Sequence, residues 1–255
     1  MKVTELWRYP VKGLRGEPLD QVEVSPDAPF PLDRRFALAR RESGITSEAP
    51  KWALKTKFHM LMHGSDAPLS YLTPHFDEVS RILTILRNGI VEAQTFVDDP
   101  NGQLEINQYF QRIVNNLRSK VEPKLVHAKD FSFGNIKEPV VSLINLATVR
   151  QLSSVVGQKI DANRFRGNIL IDDAQPWVER DWVGRIVWMD NIPFEVVDET
   201  IRCGATDVNP NTAERDLNIS KLLQKNFGHM FCGVYLVAKK AGILKHGTAL
   251  SVKGG

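Results

Sequence analysis

Apolar runs in this chain are short, and nearly every one is cut off by Gly, Pro, Asn or Asp. Runs of that kind bury as strands and are too short to form long core helices. Residues 3–11 are rich in β-formers and stop at the Lys12-Gly13 turn. Gln21-Val22-Glu23-Val24 alternates polar and apolar residues, as a half-buried strand does. Residues 35–39 and 58–62 read the same way. Residues 81–86 and 90–93 flank Arg87-Asn88-Gly89, and Asn-Gly is a hairpin signal. Further strands are expected at 140–144, 168–171, 185–189, 194–197, 234–238 and 249–252. A helical period appears over 104–120, where Ile106, Phe110, Ile113, Val114 and Leu117 share a face. Two short helices are expected at 145–153 and 216–226. Residues 47–74 carry Pro50, Pro68 and Pro74 without a clean period, and read as a long connection with one strand inside it. The expected fold is mainly β, with a small N-terminal β-barrel over 1–103, a second barrel-like domain over 104–255 and few helices.

Composition narrows the class. Hydrophobic residues make up 42% and charged residues 25%, the balance of a globular protein rather than a disordered or membrane chain. The apolar stretch at 231–238 is strand length and far short of a span. The first residues lack an apolar signal core and read as an opening strand. Two cysteines without an export signal imply a reducing, cytoplasmic location. The net charge of +3 is too slight for a nucleic-acid partner, but leaves room for a local pocket that takes a small anion.

No phosphate-binding Walker loop, Gly-x-Gly-x-x-Gly, His-Glu-x-x-His or Gly-x-Ser-x-Gly is present, so any chemistry must come from groups the fold assembles. Cys203 stands in Glu199-Thr200-Ile201-Arg202-Cys203-Gly204-Ala205-Thr206-Asp207-Val208-Asn209-Pro210, where a strand-like approach breaks into a polar turn. The arginine before it favours thiolate, the form that attacks electrophiles and binds soft metals. The plainer alternative is a buried cysteine acting as a small hydrophobe. Cys232, within Phe231-Cys232-Gly233-Val234-Tyr235, has surroundings of that inert kind. Basic clusters occur at Tyr9-Pro10-Val11-Lys12-Gly13-Leu14-Arg15-Gly16, at Asp33-Arg34-Arg35-Phe36 and at Asn163-Arg164-Phe165-Arg166-Gly167-Asn168. Taken singly, each reads as a turn or a solvated strand end. Strand alternation sends Arg34 and Arg35 to opposite faces. Together with the cysteine, the clusters suggest an anionic cofactor held beside a thiolate, since arginine's planar fork suits phosphate and heterocycles with several acceptors. His59 and His63 lie four apart in a strand-like run, where that spacing forms no metal site. Asp172-Asp173 reads as a turn, and Trp177, Trp182 and Trp188 as core and rim aromatics.

Several of these words also resemble one family. Tyr9-Pro10-Val11-Lys12-Gly13, followed by Asp33-Arg34, resembles the N-terminal β-barrel of MOSC-domain proteins, named for the C-terminal domain of molybdenum cofactor sulfurase. Arg164-Phe165-Arg166-Gly167-Asn168, Trp177-Val178-Glu179-Arg180-Asp181-Trp182, and then Arg202-Cys203-Gly204-Ala205-Thr206-Asp207-Val208 are similar to the MOSC domain itself. The chain most resembles the two-part members that include the mitochondrial amidoxime-reducing component and its bacterial relatives. The resemblance implies a molybdenum cofactor, with Cys203 as the protein ligand of the metal. It implies that Lys12, Arg34 and Arg166 hold the pterin and its phosphate, and that Thr206 and Asn209 are polar residues of the cysteine loop. It also implies reduction of N-hydroxylated substrates with electrons from a separate donor protein, of ferredoxin, flavoprotein or cytochrome type. This chain departs from close relatives at Gly13, where serine is frequent, at Asn209, where aspartate precedes the proline, and at Ala213, where glycine is frequent. A Cys203 persulfide that carries sulfur, or a non-catalytic cofactor-binding module, would use the same residues.

Overall fold

The computed structural model describes residues 1–62, 64–116 and 123–252. The chain opens with β1 (Lys2–Arg8), β2 (Glu17–Leu19), β3 (Gln21–Val24) and β4 (Phe36–Arg40). After a long connection come β5 (Leu72–Asp77), β6 (Ile82–Arg87), β7 (Ile90–Phe96), α1 (Pro100–Asn116) and β8 (Pro123–His127). Then follow β9 (Val141–Asn145), α2 (Leu146–Val156), β10 (Ile169–Asp172), β11 (Ile186–Met189) and β12 (Ile192–Ile201). The described chain closes with α3 (Ile219–Phe227), β13 (Phe231–Ala238), β14 (Gly242–Lys245) and β15 (Leu250–Val252).

The largest sheet has the order β15-β11-β12-β13-β9-β10-β1-β2. Its β9–β10 pair is parallel, and β1 joins it by antiparallel pairing of Leu6 with Ile169. The first strand of the chain therefore completes a sheet made mostly from the second half. One isolated bridge, Lys2 to Ala249, and a hydrogen bond from Val3 N–H to Thr248 O (2.9 Å) bring the β15 side back against β1. The sheet curls like a barrel, but its ladder of strands stays open. Val3, Leu143, Phe194, Val234 and Leu236 fill its core. A second core, which includes Leu38, Phe76, Leu83, Ile85 and Phe110, draws on the β4–β8 pair, the β5-β6-β7 sheet and α1.

Local chemistry explains these elements. Asn88 (φ 51°) and Gly89 (φ 80°) both take left-handed backbone at the β6–β7 hairpin, as the Asn-Gly turn requires. Pro100 opens α1 at a position that needs no N–H donor, and the Asp99 carboxylate accepts the Gly102 N–H at 2.8 Å. Ile106, Phe110 and Val114 are buried as the helical period requires, while Leu117 lies outside the described residues. The boundary expected at 103/104 falls within α1, which packs Ile106 and Phe110 into the same core as Leu38 and Phe76.

Residues 58–62 do not form the expected strand. Phe58 makes a single bridge to Ala39, and the Asp66 carboxylate then takes the Met60 N–H at 2.9 Å, turning the chain away. β1 ends at Arg8 rather than running to residue 11, because Pro10 has no N–H for a ladder. Four strands were not expected from sequence, β2, β5, β8 and β14; of these, β2 and β5 contain Pro18 and Pro74 and lie at sheet edges, where proline is tolerated. Pro74 fell within the irregular 47–74 segment and hid the strand signal.

Gly233 fixes the approach of β13 to β9. Its φ is +81°, and an added Cβ would clash with the backbone oxygen of Leu143. Gly233→Ala is expected to lower stability by about 2 kcal/mol or more, through left-handed strain plus a clash with fixed backbone. A urea midpoint equal to that of the unaltered protein would contradict this packing.

Candidate functional site

Four stretches that carry expected site residues converge on one cavity of about 110 Å3, whose wall also takes in Met60, Leu61 and several residues of 132–142. The first is the turn after β1. Lys12 N–H donates to Phe36 O at 2.8 Å, and Gly13 takes φ +88° beside the His59 backbone. The turn sends the Lys12 side chain inward, where it is 5% exposed. Its ammonium donates to Phe133 O (2.6 Å), Gly134 O (3.2 Å) and Asn135 Oδ1 (3.1 Å).

The second stretch is Asp33-Arg34, just before β4. Asp33 Oδ1 accepts the Tyr9 N–H at 2.8 Å, its other oxygen pairs with the Arg34 guanidinium, and Arg34 N–H returns to Tyr9 O at 2.7 Å. Arg34 precedes the strand and holds a left-handed φ of 48°, so strand alternation does not set its direction. The third stretch follows α2. Arg164 is bound by both Asp216 oxygens at 2.7 Å, whereas Arg166, at φ 54°, turns to donate to Leu14 O at 2.6 Å. Arg34 Nη2 donates to Arg166 O at 2.9 Å, which ties the two arginine turns together.

The fourth stretch leaves β12. Cys203 is half-buried and lines the cavity, and its carbonyl accepts from Thr206 N–H (3.0 Å) and Thr206 Oγ1 (2.9 Å). Asp207 Oδ1 accepts the Ile219 N–H at 2.9 Å and pins this turn to α3. Lys12, Arg34, Arg166, Cys203 and Thr206 are thus brought to one cavity. Asn209 is not among its lining residues. Its amide donates to Asp216 Oδ2 at 2.8 Å and its oxygen accepts the Asn211 N–H at 2.9 Å, so it shapes the loop behind the thiol. Ala213 has φ 54°, a backbone state that glycine adopts more readily.

Arg202 plays a different part from the one its place beside the cysteine suggests. Its guanidinium donates to the backbone oxygens of Cys232 and Phe165 (2.8 Å), so it locks the end of β12 onto β13 and the Arg164 turn. The second thiol, Cys232, is fully buried, and burial pushes it up to about 12. It is inert, as its apolar setting suggested.

Charge is the dominant property of the cavity. Its lining includes Lys12, Arg34, Arg164, Arg166 and Arg202 against the carboxylates of Asp33 and Glu138. Burial lowers the Lys12 ammonium to about 7, helped by Arg34 and Arg166, although its three acceptors match the three donors of the charged form. Burial, and then the charge of Arg34, likewise lowers Arg166 to about 10. The Thr200 hydroxyl is buried, has no hydrogen-bond partner among the described residues and lines the same cavity. Such a surround suits a small polyanion bearing many acceptors, with one thiol for a soft metal. No cluster of three or more His, Cys, Asp or Glu side chains that could hold a metal ion occurs among the described residues. No helix among them is long and apolar enough to cross a membrane.

Tyr9, Ser132, Asn135 and Thr200 were not singled out as site residues by sequence, yet they line this cavity or contact its cations. For Tyr9 the signal was present in its position three residues before Lys12. Residues 132–135 carried none.

The fold is mainly β, and its cationic cavity presents one half-buried thiol. The MOSC N-terminal beta barrel domain profile matches residues 1–114 and the MOSC domain profile matches residues 127–251, so the chain belongs to the MOSC family. A Bombyx mori protein named molybdenum cofactor sulfurase is 28% identical over 208 residues, 73% of this chain and 25% of that protein. One of the same name from Caenorhabditis elegans is 32% identical over 113 residues, 43% of this chain and 16% of that protein. The matched region is thus a quarter or less of each of these relatives. Among solved structures, the Bacillus subtilis YUAD protein aligns over 98% of this chain and 94% of its own, with 11% identity and a TM-score of 0.45. YiiM from Geobacillus stearothermophilus aligns over 45% of this chain and 54% of its own, with 16% identity and a TM-score of 0.35.

The state of Lys12 gives the cavity a pH dependence. Above about 7 its ammonium loses a proton, so the cavity loses one positive charge as pH rises. Affinity for sulfate, whose charge is constant in this range, is expected to fall by up to about tenfold between pH 6 and 8. Lys12→Met should flatten the profile in a calorimetric titration. A steep profile that survived in Lys12→Met would assign the titration to another group.

Proposed function

We propose that this protein binds a molybdenum cofactor in the cationic cavity and reduces N-hydroxylated small molecules with electrons from a separate donor protein. The observation that carries the reading is the surplus of positive charge held away from bulk water, on buried Lys12 and partly buried Arg34 and Arg166. Lys12, Arg34 and Arg166 surround one buried carboxylate, Asp33, within a cavity that also presents the Cys203 thiol. Buried cations without matching anions are unfavourable unless a ligand supplies the charge. A phosphorylated pterin supplies it, and guanidinium, ammonium and hydroxyl groups are the donors such a ligand takes. Family membership and relatives named molybdenum cofactor sulfurase support the same cofactor.

In this reading Arg34 and Arg166 grip the phosphate and pterin oxygens, and Lys12 adds a charge while bracing the turn at residues 133–135. Cys203 Sγ is the protein ligand to the metal, and Thr206 steadies its loop through the two bonds to the Cys203 carbonyl. Bound there, the cofactor supplies the two-electron centre. The net reaction takes an N-hydroxylated compound, two electrons and two protons to the amine-type product and water, with the N–O bond broken. Two free cysteines fit a reducing compartment, in keeping with a cytoplasmic location.

A second reading is favoured by the name of the relatives: Cys203 as a persulfide carrier for sulfur delivery. The two readings separate on metal content. Protein purified from a host that makes the cofactor is expected to hold near-stoichiometric molybdenum by elemental analysis. Cys203→Ala should lose most of it, and Arg166→Ala should lose at least about tenfold in cofactor occupancy under limiting supply, since a charged hydrogen bond contributes about 1.5–3 kcal/mol. Absence of molybdenum from the unaltered protein, with a persulfide on Cys203 detected by mass spectrometry, would replace the reductase reading with the carrier.

A further inference from the structure

Two of the cavity arginines, Arg34 and Arg166, share one aromatic neighbour. The guanidinium carbons of Arg34 and Arg166 lie 4.7 and 4.3 Å from the centre of the Tyr9 ring. These cations repel one another, and each stands on a left-handed backbone that a residue with a side chain rarely adopts, φ 48° and 54°. Something must hold two like charges together, and residues kept in such backbone states persist only where the surroundings over-determine them.

We infer that Tyr9 is the positioning residue for the anion-binding arginines, and that its ring face, not its hydroxyl, does this. The inference rests on the cavity being an anion site, as proposed above. Four observations support it. The electron-rich ring face attracts both guanidiniums, and such contacts are strongest where water is excluded. Tyr9 is 2% exposed. Its backbone closes the Arg34 turn, with N–H to Asp33 Oδ1 (2.8 Å) and O from Arg34 N–H (2.7 Å). Its hydroxyl is buried and has no hydrogen-bond partner among the described residues, so the phenol oxygen contributes nothing by hydrogen bonding. Burial holds that phenol neutral, up to about 12.

Gly16 completes the device. A Cβ there would sit 2.6 Å from Tyr9 Cε1 and 2.9 Å from Cδ1, so the ring keeps its place only because residue 16 has no side chain. Gly16 is not among the positive-φ glycines, which makes this contact, rather than backbone freedom, the reason for glycine. Tyr9 thus links the turn after β1 to both arginine turns, although it never needs to touch the ligand.

The test uses the full chain produced without cofactor, titrated calorimetrically with inorganic phosphate at a temperature where each variant is folded. Tyr9→Phe is expected to bind phosphate within about twofold of the unaltered protein. Tyr9→Leu, which keeps the backbone bonds but removes the ring face, should weaken binding about tenfold or more. Gly16→Ala keeps the ring and displaces it, and should weaken binding in the same direction, which preserves the test if Tyr9→Leu fails to fold. A purely structural role would not depend on the arginines, so the decisive comparison repeats Tyr9→Leu in an Arg166→Ala background, where its cost should shrink severalfold. Equal cost in both backgrounds would overturn the inference, as would a tenfold loss in Tyr9→Phe. If the unaltered chain bound neither phosphate nor molybdenum, the anion-site reading itself would fall. If it bound phosphate and Tyr9→Leu bound it equally well, only the role of Tyr9 would.

Discussion

Lys12, which is buried, and Arg34 and Arg166, which are partly buried, crowd around one buried carboxylate, Asp33, and both halves of the chain must fold around this cluster. Repulsion and desolvation oppose such a cluster. The chain offsets them with backbone oxygens, since Lys12 ends on Phe133 and Gly134, Arg34 on Arg166 and Arg166 on Leu14. Each bond joins segments far apart in sequence. The charge cluster is therefore also the clasp between the turn after β1, the turn before β4, the 133–135 segment and the Arg164–Arg166 turn. A cluster held this way is preorganised, with its charges fixed in position by the fold.

The thiol is set beside this cluster by a different device. Arg202 spends its guanidinium on the backbone oxygens of Phe165 and Cys232, so the residue nearest Cys203 in sequence is a brace for the end of β12. What surrounds the thiol chemically is the lining of the cavity, which joins its own loop to Lys12, Arg34 and Arg166 from other segments. The two cysteines divide accordingly: Cys232 is sealed in the core, and Cys203 is half-buried at the cavity wall. In the proposed reading a metal is met there, and the cationic surround would match the phosphate of its cofactor.

Much of the fold was legible because short strands and their turns obey local rules. Asn88-Gly89 gave the β6–β7 hairpin, and the period of Ile106, Phe110 and Val114 gave α1. Where proline sits in an edge strand, at Pro18 and Pro74, the local signal fails although the strand forms, because an edge has no ladder bond to lose on its open side. Residues 58–62 failed for a different reason: a carboxylate six residues on, Asp66, captured the Met60 N–H and overrode the strand propensity. In the site, Lys12, Arg34, Arg166, Cys203 and Thr206 were legible as words in the sequence. Tertiary partnerships were not. Sequence placed Arg202 at the thiol and Asn209 at the site, whereas the fold turns the first to backbone oxygens and the second to Asp216.

The central claim is that the cation cluster and Cys203 form a single ligand site. A crystal structure of the protein purified from a cofactor-producing host tests it most directly. Density for a phosphorylated pterin is expected in contact with the side chains of Lys12, Arg34 and Arg166, with the metal peak at Cys203 Sγ. Density for the pterin elsewhere, or a metal held away from Cys203, would contradict it.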